Sequence, residues 1–107
     1  MKLLAVTTTV ATAEAARAMA RAIVERRLAA CARITPIESL YVWSGTVQNE
    51  PEHSILFKTT AAQYPALEAA IRELHTYELP AIHAVAVEAA YGPYAAWVEE
   101  GSAGTGR

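Results

Sequence analysis

The side chains able to do chemistry in this 107-residue chain are few: three histidines, one cysteine, and eleven acids that are all glutamate. With no aspartate in the chain, every mechanism that requires one is excluded. His53, His75 and His83 match no local zinc spacing. His75 leads into Thr76-Tyr77-Glu78-Leu79-Pro80, which places an imidazole, a phenol and a carboxylate within four residues. His75 and Glu78 are the candidate metal ligands, forming a mixed site if a neighbouring subunit supplies further donors. A plainer role competes, because a histidine at a helix C-terminus also serves as a favourable cap. Cys31 is a candidate soft-metal or thiol site. As a nucleophile it needs a nearby base, and otherwise it behaves as a small buried hydrophobe. His53 reads as solvated and His83 as an interface residue.

A second group carries shape more than reactivity. Tyr41 and Trp43 alternate with Val42 and so share one face of a strand. Packing, in the core or between subunits, is the favoured role of Tyr41 and Trp43, and with Lys58 and Tyr77 they are also candidates to wall a small-molecule cleft at a subunit seam. Gln48, Glu50 and Glu52 read as a solvated rim without calcium-loop spacing. The five glycines lie at Gly45 or after residue 91, so no phosphate-cradling loop is present.

These residues need elements to position them. Segment 2–9 is short, apolar and β-branched, the signature of a buried strand. Thr12 can cap a helix reaching about Leu28, with Ala15, Met19, Ala22 and Ile23 inward and Glu14, Arg17, Arg21 and Glu25 outward. From Cys31 to Trp43 the pattern alternates, with Pro36 predicting an edge, bulge or break. Ser44-Gly45-Thr46 is a turn, and the return strand is expected to break at Asn49-Glu50-Pro51 before a stronger stretch from His53 to Thr60. Leu67, Ile71 and Leu74 mark a second helix after Tyr64-Pro65, and Pro80 closes the loop that follows. Segment 81–89 is a fourth strand, and a short helix carries Tyr94, Trp97 and Val98. One domain is expected over residues 1–100, with 101–107 a flexible tail.

The order is β-α-β-β-α-β plus a terminal helix, an α+β ferredoxin-like arrangement. Two main helices cover one sheet face only. The first and fourth strands are apolar on both parities, so the other face needs a cover, and self-association is the simplest.

Composition narrows the class. The chain is 53% hydrophobic and 19% charged with net charge -2, which excludes disorder and leaves no electrostatic footprint for nucleic acid. No apolar run approaches the roughly 20 residues of a membrane span. The N-terminus reads as a strand and not a secretion signal. A single cysteine forms no internal disulfide and suits a reducing, cytoplasmic location.

Five spaced motifs add a resemblance. Glu25-Arg26-Arg27-Leu28-Ala29-Ala30-Cys31, Ser39 to Gly45, Glu52 to Thr60, Leu74 to Pro80 and Tyr94-Ala95-Ala96-Trp97 follow one another in an order that closely resembles the CutA family of divalent-ion tolerance proteins, over about residues 2–100. The resemblance implies a homotrimer of ferredoxin-like subunits, similar in architecture to the PII proteins. It implies a link to copper and divalent-cation tolerance, no required cofactor, and no established enzymatic reaction. Cu2+ or another divalent cation is the implied ligand. Arg33 stands where the family usually has Asn, and Thr76 where it has Pro. Thr8 and Leu74 occupy positions where members proposed to bind copper offer Cys and His, so of that set only His75 remains. Three classes fit: a trimer binding a metal ion or small ligand between subunits, a scaffold trimer with an indirect metal phenotype, and a Cys31-dependent enzyme.

Overall fold

The computed structural model describes residues 2–104. Seven elements follow in order: β1 (Leu3–Val10), α1 (Ala13–Glu25), β2 (Cys31–Trp43), β3 (Thr46–Thr60), α2 (Tyr64–Leu74), β4 (Ile82–Val87) and α3 (Gly92–Gly101). The strands form one antiparallel sheet in the order β2-β3-β1-β4. This is the α+β ferredoxin-like arrangement with its extra C-terminal helix.

Helix α1 starts where Thr12 Oγ1 accepts the Ala15 N–H at 3.0 Å. It stops at Glu25, short of the expected Leu28, and Arg27 turns to φ 59°, a left-handed conformation that cannot extend a right-handed helix. Its buried stripe is Ala16, Met19, Ala20 and Ile23. Those four share the i, i+3, i+4, i+7 spacing that Ala15 and Ala22 break, so these two alanines are not the inward pair. The stripe packs with Leu67, Ala70 and Ile71 of α2 on Val6 and Val10 of β1 and Ile55 and Phe57 of β3. Register places Val6 opposite Phe57 and Thr8 opposite Ile55, so even residues of β1 and odd residues of β3 face the helices.

Of the outcomes expected at Pro36 the edge is the one found, and the break expected at Asn49-Glu50-Pro51 does not occur. Pro36 lies within β2 opposite His53, and Pro51 lies within β3 opposite Glu38. Each proline is tolerated because its strand has an open side. β2 is the sheet edge, and β1 pairs with β3 only as far as Val10–His53, leaving residues 46–52 free on that flank. Ser44 and Gly45 adopt φ 55° and 78°, as a tight two-residue hairpin turn requires. Residues 37–43 and 46–52 therefore extend past β1 as a two-stranded ribbon.

Helices α1 and α2 cover one sheet face. On the other, α3 covers one end, with Leu3 and Val98 buried there. The remainder is open, and Val85 is 58% exposed. The expected tail does not begin at residue 101. Gly101 closes α3 with Ala30 so near that an added Cβ would sit 2.9 Å from it. Ser102 is buried, its Oγ donates to the Val98 carbonyl at 2.6 Å, and its own carbonyl accepts from Gln63 Nε2 at 2.9 Å. The Gly104 N–H donates to the Arg27 carbonyl at 2.9 Å. These partners hold the segment that composition alone marked as flexible. Residues 105–107 lie outside the described residues.

Candidate functional site

His75 sits at the C-cap of α2, its backbone N–H donating to the Ile71 carbonyl. Its Nε2 is 2.8 Å from the Thr9 carbonyl oxygen, and its Nδ1 is 3.2 Å from the Tyr77 backbone nitrogen. A carbonyl only accepts and a backbone N–H only donates. The ring therefore carries its proton on Nε2 and accepts at Nδ1, so its neighbours dictate a neutral tautomer. Both nitrogens are engaged, and a metal at either one must displace a hydrogen bond.

The Tyr77 ring leans on His75, with centroids 4.7 Å apart, and its hydroxyl donates to Glu52 Oε2 at 2.6 Å. That length belongs to a charge-assisted O–H···O⁻ bond. Glu52 is only 7% exposed, and among the described residues no cation pairs with it. Burial, and then the Glu52 carboxylate, push the Tyr77 phenol well above its ordinary range, so it remains a donor. Tyr41 is pushed upward too, by desolvation first and then by Glu50 and Glu52. The structure thus ties β1, the loop after α2 and the base of the ribbon through His75, Tyr77 and Glu52. Glu78 is exposed, and its side chain makes no hydrogen bond among the described residues. Among the described residues no group of three His, Cys, Asp or Glu is placed to hold a metal ion.

The other candidates lie elsewhere. Lys58 and Cys31 are direct cross-strand partners at the opposite end of the same sheet face. Six residue steps along β3 separate Lys58 from Glu52, roughly 20 Å at about 3.4 Å per residue. One subunit therefore does not place Lys58 in a cleft with Tyr77. Tyr41 and Trp43 remain half-exposed on the ribbon at 41% and 44%. The only polar contact of the Cys31 side chain among the described residues is the Tyr94 hydroxyl, 3.9 Å away. His83 is exposed on β4.

Two readings change. His53 is not solvated: it lies half-buried opposite Val10, and its buried Nδ1 has no partner among the described residues. Glu52 is not part of a solvated rim. Its position was countable, since a two-residue turn at Ser44-Gly45 pairs Ile37 with Glu52, but the expected break at Asn49-Glu50-Pro51 hid it. Tyr94 and Trp97 were also missed as site residues, because only the packing of α3 brings them to β2 and β3.

Comparison with known proteins bears on this geometry. The family model described as CutA1 divalent ion tolerance protein matches residues 4–101. The divalent-cation tolerance protein CutA of Thermus thermophilus is 40% identical over 93 residues, covering 86% of this chain and 90% of that protein. Protein CutA of Mus musculus is 40% identical over 86 residues, covering 79% of this chain, which spans only about half (49%) of the mouse protein's length. The solved structure of the Thermus thermophilus divalent cation tolerance protein superimposes with a TM-score of 0.90 at 38% identity, covering 94% of this chain and 98% of that one. Among the described residues no helix is long and apolar enough to cross a membrane.

Proposed function

The chain belongs to the CutA1 divalent ion tolerance family, and from that premise we propose that it acts by binding and not by catalysis, as a homotrimer that takes a divalent cation or a small ligand in the clefts between subunits. The observation that supports this reading most is the β2–β3 ribbon. It leaves Leu40, Val42 and Val47 each about two-thirds exposed, beside half-exposed Tyr41 and Trp43. A two-stranded ribbon is marginal in water by itself, and apolar surface on this scale marks an association site. Three copies is the count that the family resemblance implies. A cytoplasmic location accords with the single unpaired cysteine.

The donor set favours a site shared between copies over one built within a single chain. His75 is hydrogen-bonded at both ring nitrogens, whereas Glu78 and Glu50 are exposed and free to meet a neighbour. The engaged imidazole also gives weight to a second reading, a scaffold trimer whose effect on metal tolerance is indirect. Calorimetric titration of the metal-free protein with buffered Cu(II), Zn(II) and Mg(II), beside His75→Ala and Glu78→Gln, separates the two. Saturable binding at a fixed ratio per subunit that either variant abolishes supports the cleft. Binding that is absent, or indifferent to both substitutions, leaves the scaffold.

A further inference from the structure

One end of the open sheet face gathers two cations and two aromatic rings, and among the described residues no acid pairs with either cation. Lys58 of β3 pairs directly with Cys31 of β2, and Arg33 follows two residues along β2 on the same face. Diagonal positions of this kind lie about 7–8 Å apart, so both side chains can reach one ligand. Helix α3 lays its aromatics over them. Lys58 Nζ stands 5.9 Å from the centroid of the Tyr94 ring. The Tyr94 and Trp97 rings stack with centroids 5.9 Å apart and an interplanar angle of 21°. Trp97 is 51% exposed, so one face of its ring is open to a ligand.

Nothing among the described residues satisfies this cluster. Neither Arg33 nor Lys58 enters an ion pair. The Tyr94 hydroxyl meets only the Cys31 thiol at 3.9 Å, a weak partner. Burial and the Cys31 contact raise the Tyr94 phenol, while the positive charge of Arg33 opposes them. Two unbalanced cations, a free phenolic donor and an open indole face form the complement of an oxyanion attached to a flat ring.

We propose that Arg33, Lys58, Tyr94 and Trp97 form a binding site for a small aromatic oxyanion, a carboxylate or phosphate group carried on a planar ring. Arg33 and Lys58 hold the charge, the Tyr94 hydroxyl donates to one oxygen, and the ring lies on Trp97. All four side chains come from one chain, and the site uses neither His75 nor Glu78.

The test uses Trp43→Phe, which leaves Trp97 as the only tryptophan. Its fluorescence is titrated with phenyl phosphate, benzoate, inorganic phosphate and uncharged benzyl alcohol. Wild-type calorimetry with phenyl phosphate runs in parallel in case the variant folds poorly. Saturable quenching by phenyl phosphate or benzoate is expected, with roughly tenfold weaker binding in Arg33→Gln and in Lys58→Gln, the effect of losing one charge-assisted contact. Equal quenching by benzyl alcohol, binding unchanged by Arg33→Gln, or inorganic phosphate binding as tightly as phenyl phosphate overturns the proposal. So does the absence of binding combined with a fall in native mass in Arg33→Gln, since carboxylates of a second copy then balance the cations.

Discussion

Replacing Tyr77 by Phe deletes one oxygen and leaves the ring against His75. The lost group is the phenol that donates to Glu52 Oε2 at 2.6 Å, the only hydrogen bond the Glu52 carboxylate makes among the described residues. Hydrogen bonds to charged groups contribute about 1.5–3 kcal/mol, and a carboxylate only 7% exposed sits in the upper part of that range. For a domain of this size, where each kcal/mol moves Tm by roughly 4–8 °C, the expected fall in Tm is on the order of 10 °C. Tyr64→Phe is the control. Its hydroxyl donates to Glu68 Oε2 at 3.0 Å within one helix, an i,i+4 contact whose loss costs about 0.5 kcal/mol or less. Urea unfolding at pH 7, read by far-ultraviolet circular dichroism at one protomer concentration, measures both variants. If Tyr77→Phe lies within about 0.5 kcal/mol of wild type, or Tyr64→Phe costs as much, the tie to Glu52 contributes nothing and the reasoning fails.

The same phenol makes stability depend on alkaline pH. Its folded-state pKa is raised above the ordinary 10.0, so its contribution is complete below about pH 10 and is lost as pH rises beyond it. The stability gap between wild type and Tyr77→Phe should therefore narrow above pH 10, and a gap that stays constant to about pH 12 contradicts this. Thr8 and Thr59 are both fully buried, yet among the described residues Thr8 Oγ1 has no partner while Thr59 Oγ1 donates to the Leu28 carbonyl at 2.8 Å. Thr8→Val should be neutral or stabilising and Thr59→Val should cost about 1 kcal/mol, with thermal melts that rank the two in the opposite order refuting the assignment. Gly101→Ala forces a Cβ against Ala30 and should cost about 1–3 kcal/mol, whereas Gly92→Ala meets open space. Equal melting of those two variants is incompatible with the packed C-terminus.

The order of elements and the core faces were legible because they rest on local periodicity. Alternation marked β2, the i, i+4, i+7 spacing of Leu67, Ile71 and Leu74 marked α2, and Thr12 marked the start of α1. The errors arose where tertiary context overrides local preference. Pro36 lies on the edge strand, one of the outcomes expected of it, whereas Pro51 is a breaker in isolation but sits beside an open strand flank that no local signal reports. Residues 101–104 are small and polar, yet Gln63 and Arg27, distant in sequence, hold them. At the site, His75 and Tyr77 are near neighbours in the chain, and their association was readable. The Thr9 carbonyl that sets the His75 tautomer is 66 residues away, and Glu52 is 25 residues from Tyr77. Lys58 enters the candidate cleft as the only cation of its strand, but the length of β3 separates it from Glu52 and Tyr77. Tyr94 and Trp97 join Lys58 and Arg33 only through the docking of α3.

The exposed ribbon, the open sheet face and the divided donor set all favour a neighbouring copy. Native mass spectrometry of the untagged protein at micromolar concentration tests this directly. The expected species has about three times the 11.5 kDa subunit mass. A single subunit under those conditions would leave the ribbon and the open face without a cover, and it would contradict a site formed between subunits.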